Sequence, residues 1–427
     1  MMNNKKQGRH CEECSDEAIH FSLFDTSRLA KDSVAILNSF DEIIQGVRPL
    51  NSRQLQQLPE HIRNLSHQLT DDRASRRLGY MNDNIQLSSY VRYYTWWNLV
   101  RLTRLFANLP DSVFPTSDTT CLDLGSGPLT VVTALWLARP ELRKLHLTWY
   151  CLDVSANSMA LGEDIYLSVA AKAKAADPSI EPWQIIRVKG PFGTPIKQKA
   201  GFLTCANMFN ELDQASDMPP EFQTKKYYEQ LQRYCAEGAG VILVEPGVPK
   251  AARTLSLLRT RYIKDGHTIA APCPHAEECP MSGFKAYTGS KNKWCNFAFS
   301  TEDAPRRLQK LSDMAKLPKE RATLSFMAID ARVKPEHDTK VQHDKDAAAT
   351  NIRITSDKLR LPNYMCGYYG CSQYGLVLVT LPDENNTRLP KPPFRPQSGD
   401  LIQVQVKIKT PDSLPKDEKS GALIVKL

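Results

Sequence analysis

Apolar positions in the first quarter of the chain recur at three- and four-residue steps. Leu29, Val34, Leu37, Phe40 and Ile43–Ile44 keep that step until Gly46, which predicts a helix opening near Ser27. A second helix is predicted from Asn51–Ser52 through Leu55, Leu58, Ile62 and Leu65. A third covers Leu87–Leu109, carries Tyr90, Tyr93, Tyr94, Trp96 and Trp97, and ends at Pro110. Aromatic residues at helical spacing read as packing before they read as base-stacking surface. From Thr119 to about Pro382 the punctuation changes: short β-rich runs alternate with helical stretches, which predicts parallel βαβ units. Strands are expected at Thr120–Asp123, Leu145–Leu152, Gly201–Ala206 and Gly240–Val244. Helices are expected at Thr130–Ala138, Ser158–Ala175, Lys225–Tyr234 and Lys250–Lys264. The stretch Ala271–Phe299 breaks the rhythm and holds three cysteines, whereas Ala322–Asp330 and Gly375–Leu381 resume strand character.

The predicted organisation is a loose leader (1–26), a helical region (27–110) and a Rossmann-like α/β core (111–270). A Cys-rich basic insertion (271–321), the remaining core strands (322–389) and a tail (390–427) follow. The tail is Pro-rich and then strand-like at Leu401–Ile408, and Pro335–Ala349 reads as a charged solvent loop.

Composition narrows the class. The 427 residues are 41% apolar and 24% charged, which excludes a disordered or fibrous chain. No apolar run approaches the ~18 residues of a spanning helix. The first thirty residues carry Glu12, Glu13, Asp16 and Glu17, unlike a secretory signal or an acid-poor transit peptide. A soluble intracellular protein without a membrane partner is expected. Eleven cysteines in such a chain argue for buried, metal-binding or catalytic thiols rather than a disulfide framework. Cys11 and Cys14 form a lone CxxC with no partner pair nearby, too few ligands for a metal. The formal charge of +8 is uneven: residues 281–321 hold nine Lys/Arg and four Asp/Glu. There Lys291, Lys293, Arg306, Arg307 and Lys310 are interleaved with Trp294, Phe297 and Phe299. Lys250, Arg253, Arg259, Arg261 and Lys264 add to them, a pattern that suits phosphates and exposed bases.

Cys121-Leu122-Asp123-Leu124-Gly125-Ser126-Gly127-Pro128-Leu129-Thr130 follows an expected strand and opens a helix. Gly125 and Gly127 allow a sharp turn and close approach to a ligand. Asp153, at the end of the next strand, is placed to accept hydrogen bonds from ribose hydroxyls. A dinucleotide fingerprint needs a third glycine where Thr130 stands. The acidic-x-Gly-x-Gly form instead matches S-adenosylmethionine-dependent methyltransferases. Gly125, Ser126, Gly127 and Asp153 are then the cofactor-binding candidates, and Asp123 either orients the loop or meets the cofactor's amino-acid end. Two further strand ends, Ala206-Asn207-Met208-Phe209-Asn210-Glu211-Leu212 and Val244-Glu245-Pro246-Gly247, fit the same plan. Asn207 joins the cofactor-binding candidates, with the Asn207–Glu211 loop facing an acceptor. No catalytic base or nucleophile can be named.

Cys273, His275, Cys279 and Cys295 lie in an irregular segment that prolines keep from forming helix. A metal bridging thiolates would contribute directly to ordering it. Zinc could take Cys273, His275, Cys279 and Cys295. An iron–sulfur cluster could take Cys273, Cys279, Cys295 and a later cysteine, with Cys366 and Cys371 as candidates.

Taken in order, the Leu-Asp-Leu-Gly-Ser-Gly-Pro turn, Asn210-Glu211-Leu212, Val244-Glu245-Pro246-Gly247, Ala271-Pro272-Cys273-Pro274-His275, Cys279-Pro280 and Trp294-Cys295 form a distinctive set. With Ser89-Tyr90-Val91-Arg92-Tyr93-Tyr94 it resembles the methyltransferase-like small-ribosomal-subunit proteins of mitochondria and bacteria, over about residues 30–382. The resemblance implies a Rossmann-like S-adenosylmethionine-dependent methyltransferase core, association with the small ribosomal subunit and its rRNA, and a 4Fe-4S cluster. On the family pattern Cys273, Cys279 and Cys295 are ligands, and the fourth stands shortly before a strand with a glycine four residues on. Cys371, with Gly375, is preferred to Cys366. The family often has glycine where Leu129 stands, so a narrowed pocket is expected. The leading expectation is a ribosome-associated protein, methylating rRNA if active, monomeric, and cytoplasmic (in the mitochondrial matrix of a eukaryote). The alternatives are a non-catalytic rRNA-binding assembly factor and a zinc-bearing methyltransferase of small molecules or proteins.

Overall fold

The computed structural model describes residues 20–70, 80–212, 218–284, 293–331, 349–385, 394–405 and 414–427. The expectations for Cys11 and Cys14, Lys291, the 335–348 part of the charged loop and the start of the tail lie outside the described residues.

Strand β1 (His20–Phe21) precedes five helices: α1 (Lys31–Asn38), α2 (Phe40–Val47), α3 (Ser52–Thr70), α4 (Asn84–Tyr90) and α5 (Trp96–Asn108). A π-helical turn, Val91–Thr95, joins α4 to α5. Next come β2 (Thr120–Leu124), α6 (Thr130–Ala138), β3 (Thr148–Asp153), α7 (Ala156–Ala176), β4 (Gln184–Lys189) and β5 (Ala200–Ala206). They are followed by α8 (Phe209–Leu212), α9 (Pro220–Tyr234), β6 (Cys235–Glu245) and α10 (Pro249–Lys264). β7 (Ile269–Ala271) and β8 (Phe297–Ser300) flank the cysteine segment, before α11 (Arg306–Met314) and β9 (Arg321–Ile329). The last strands are β10 (Ala349–Ile354), β11 (Leu359–Leu361), β12 (Met365–Ser372), β13 (Gly375–Pro382), β14 (Leu401–Gln405) and β15 (Leu423–Lys426).

The first sheet runs β4-β3-β2-β5-β6-β9-β7, with β8 attached to β9. Its strands from β4 to β6 are parallel, and β9 is antiparallel to both β6 and β7. The parallel part is doubly wound, and the inserted antiparallel strand sets it apart from the all-parallel dinucleotide-binding order. Helices cover both faces, so the central strands read as continuous apolar runs: Leu122, Leu124, Leu203, Val241, Ile242 and Leu243 are all buried. Every residue of α6 is buried, because this helix lies between the sheet and α5.

In the helical region the aromatic stripe packs inward. Trp96 Nε1 donates to Leu37 O at 2.8 Å and Trp97 Nε1 to Ser312 Oγ at 3.1 Å. The first expected helix is two helices broken at Ser39, whose Oγ turns back to Ala35 O at 3.0 Å. Such back-bonding competes with helix continuation.

Strands expected to complete the core divide between two sheets. β9 joins the first, whereas β10, β12 and β13 belong to a second sheet of order β1-β14-β10-β12-β13-β15, with β11 on β12. The tail therefore supplies two strands of this second sheet, and its own core includes Ile352, Val379, Ile402 and Val425.

Candidate functional site

The glycine turn is tied to its neighbouring strand before any ligand is considered. Gly125 N and Ser126 N donate to Leu152 O at 2.9 and 3.1 Å. Gly127 N donates to Asp153 Oδ2 at 2.9 Å, and Ser155 N to Asp153 Oδ1 at 2.8 Å. Gly125 and Gly127 have φ of 66° and 48°, in the left-handed region. Leu129 also lies there, at φ 53°, but its side chain is fully buried in the apolar core. The expected narrowing of the pocket is therefore not found: the side chain points away. A glycine outside the motif matters as much, because a Cβ on Gly162 of α7 would come within 2.3 Å of the Pro128 carbonyl carbon.

β2 lies between β3 and β5, where the winding reverses, and a crevice opens at the carboxyl ends of these strands. Gly125, Ser126, Gly127, Asp153 and Asn207 all line it. Asp123 does not: it is buried behind the wall, accepting from Thr204 Oγ1 at 2.7 Å while Ser126 Oγ donates to its carbonyl at 2.8 Å. It orients the loop. Burial pushes its carboxyl up to about 7, against the opposing Thr204 and Ser126 hydrogen bonds. Burial also raises Asp153, with the Ser155 and Gly127 amides opposing the shift.

The helical region, which the motif reading left out of the pocket, closes one side with Met81, Tyr90, Asn98 and Leu102. Behind Asn207, which has φ 60°, Arg101 Nη2 donates to Asn207 Oδ1 at 3.0 Å. Burial lowers the Arg101 pKa to about 10, with Tyr90 and Glu245 opposing. Glu245 is buried and caps α8, accepting from Phe209 N at 2.9 Å and Asn210 N at 3.1 Å. Arg101 comes from a distant segment, so spacing along the chain carried no sign of it, whereas Glu245 stands in a strand-end motif that the sequence does mark.

The cysteine segment faces the second sheet. Cys273, Cys279 and Cys295 line one small cavity with Arg259. Cys371, from β12, lies close enough that Cys273 and Cys279 raise its thiol pKa, after burial itself. Cys295 is pushed well above its ordinary value by burial and then by Cys279, Cys273 and Cys371. Cys366 is elsewhere: its Sγ faces Leu381 O at 3.5 Å inside the apolar core of the second sheet. His275 Nε2 stands 2.9 Å from Cys371 Sγ, and its buried Nδ1 has no hydrogen-bond partner. Among the described residues, no group of three or more His, Cys, Asp or Glu is arranged to hold a metal ion. Neither the zinc set Cys273, His275, Cys279 and Cys295 nor the cluster set Cys273, Cys279, Cys295 and Cys371 is drawn together as a closed metal site among these residues.

Two of the three aromatic residues expected to stack bases are packed in the interior, and Trp294 is half-buried. Phe297 and Phe299 are buried, and Trp294 Nε1 donates to Gly247 O at 3.0 Å. Among the basic groups, Arg253 and Arg259 are buried, while Arg307 pairs with Asp41 and Glu42. The basic surface is thus smaller than the sequence suggests.

Fold and crevice together define a Rossmann-like protein with a nucleotide-type pocket at the switch point of its sheet. The model of the mitochondrial small ribosomal subunit Rsm22 family matches residues 86–355, and the chain belongs to that family. No curated protein matches the chain. Similar solved structures include an S-adenosylmethionine-dependent methyltransferase from Geobacter sulfurreducens in complex with S-adenosylhomocysteine (13% identity, 55% of this chain and 91% of that one, TM-score 0.30). Another is its counterpart from Thiobacillus denitrificans, with the same ligand (13%, 55% and 91%, TM-score 0.30). A third is a ribosomal protein L11 methylase from Lactobacillus delbrueckii subsp. bulgaricus (15%, 40% and 71%, TM-score 0.26). Among the described residues, no helix is long and apolar enough to cross a membrane.

Proposed function

We propose that this chain works on the small ribosomal subunit, binds S-adenosylmethionine in the β2–β3–β5 crevice and methylates rRNA. The observation that carries the reading is the Gly125–Gly127 turn, locked to Asp153 at the switch point of the sheet in a member of the Rsm22 family. When bound, the cofactor supplies an electrophilic methyl group on sulfonium. Asp153 retains acceptor capacity for ribose hydroxyls beyond its two backbone bonds, and Gly127 lets the chain approach without a Cβ. Asn207 and Glu211 face the acceptor side. The site of action is where small subunits assemble, the mitochondrial matrix in a eukaryote.

Titration calorimetry with S-adenosylmethionine, then transfer of labelled methyl to small-subunit particles, tests the reading. Saturable binding and incorporation that Asp153→Ala abolishes support it; absence of binding at millimolar cofactor overturns it. A second reading, an rRNA-binding factor without catalysis, is favoured by Asn207. Its amide oxygen accepts from the buried Arg101 guanidinium, which competes for that oxygen with an acceptor's amine. Binding without incorporation selects this reading.

The four-cysteine centre belongs to the same proposal. Four cysteine thiols with two buried arginines beside them are a donor set that would suit a four-iron cluster, which is held by four thiolates. Buried thiols that raise one another's pKa suit such a centre, because a cation is what lets them ionise together. Cys273, Cys279, Cys295 and Cys371 would hold it, as a structural group pinning the second sheet to the core.

A further inference from the structure

Two arginines approach the thiols, one from each sheet's side of the molecule. Arg259, on α10, directs Nε to Cys273 Sγ at 3.1 Å and Nη2 to His275 O at 2.8 Å. Arg353, on β10, directs Nε to Pro272 O at 2.9 Å and Nη1 to Gly399 O at 2.8 Å. They are only 4% and 7% exposed. Their hydrogen bonds among the described residues go to one sulfur and three carbonyls, none to a carboxylate. A buried guanidinium without a paired anion is costly. Arg353 also feels the buried carboxylate of Asp400, so its charge is answered partly there and partly by the thiols.

We propose that Arg259 and Arg353 are the built-in counter-charges of an anionic four-thiolate centre and hold its reduced form within reach. The inference rests on the cluster reading above. Four thiolates outweigh the charge of a four-iron, four-sulfide core, and reduction adds one more negative charge. Net charge and hydrogen bonds to sulfur are among the terms that set the potential of such a cluster. Arg259 supplies both a charge and a hydrogen bond to a ligand sulfur. Arg353 supplies charge, and it also ties the second sheet to the residue preceding Cys273. The two cations therefore act where Cys371 of the second sheet meets the three cysteines of the core.

The test uses the full-length protein purified without oxygen. Iron and acid-labile sulfide are measured first, and the cluster is then titrated with dithionite while its paramagnetic signal is followed. Absence of iron and sulfide in the unaltered protein refutes the cluster reading itself, and the arginine inference with it. With cluster present, Arg259→Met and Arg353→Met are each expected to disfavour reduction at least tenfold, equivalent to 59 mV toward negative potential for one electron. Arg259→Lys and Arg353→Lys are expected to recover most of that shift. Loss of cluster in the Met variants with retention in the Lys variants also supports the inference. Unchanged midpoints in cluster-loaded Met variants would overturn it, as would equal loss of cluster in Met and Lys variants, which marks a packing role.

Discussion

The crevice and the thiol centre are built in opposite ways. In the crevice every bond that shapes the turn is made by the chain alone: Leu152 O, the Asp153 carboxylate and three backbone amides hold it. At the thiol centre the chain leaves its own groups poorly satisfied. Buried thiols push one another toward the neutral form, and among the described residues His275 Nδ1 has no hydrogen-bond partner and the two buried arginines donate to no carboxylate. The crevice is shaped without a ligand, whereas the proposed cluster, once bound among the thiols, would contribute to folding.

The largest expected effect separates these two regimes. Cys371→Ser is expected to release the second sheet, costing several kcal/mol on the scale of structural metal sites. In hydrogen exchange β10, β12 and β13 should lose protection while β2, β3 and β5 keep theirs. Equal protection in both sheets would erase the contrast.

Asp123 gives the next effect, within the core alone. Its folded pKa, at about 7, lies above the ordinary value of 3.8, so the folded state prefers the protonated carboxyl. Below pH 4 the group costs nothing. Between about pH 4 and 7 the unfolded carboxyl ionises ahead of the folded one and withdraws stability, by on the order of a few kcal/mol in total, and the loss levels off above 7. Asp123→Asn, which still accepts from Thr204, is expected to melt above the unaltered protein at pH 8 and to converge with it at pH 4. Parallel melting curves across that range would contradict the assignment.

Gly162→Ala comes third. Its Cβ would meet the Pro128 backbone at 2.3 Å, and the turn has no flexible side chain there to yield. A loss of about 1–3 kcal/mol is expected by denaturant titration, together with weakened cofactor binding and an undisturbed second sheet. The smallest effect on folding is that of Asp153→Ala, which removes the acceptor of the Gly127 and Ser155 amides. About 1–3 kcal/mol of binding free energy should go, roughly fivefold to more than a hundredfold in affinity, with about 1 kcal/mol of folding stability lost from the two amides left without that acceptor. Unchanged cofactor affinity would show that the carboxylate serves the turn alone.

Much of the crevice was legible in the sequence because its parts are local. A strand, two glycines and a carboxylate at the next strand end occupy one βαβ unit, and α6 begins and ends where periodicity places it. Gly162 and Arg101 were not legible: each acts by touching a backbone or an amide far away in the chain. Spacing identified the thiols of Cys273, Cys279 and Cys295, but the fourth position came from resemblance. Gly375–Leu381, now β13, was read as part of the core because it is a short apolar run like the core strands. β10 and β12 were not expected as strands, because their sequences carry no apolar run. Only pairing with β14 and β15 reveals their separate sheet. The supposed stacking aromatics failed for a related reason: burial of Phe297 and Phe299 depends on β9 and on Phe24, which spacing around Cys295 does not encode.

Whether Cys273, Cys279, Cys295 and Cys371 share one inorganic centre joining the two sheets is decided by iron and acid-labile sulfide in the protein purified without oxygen. About four of each per chain are expected, falling to near zero in Cys371→Ser but unchanged in Cys366→Ser. One zinc per chain without sulfide, or full iron retained after loss of Cys371, would contradict it.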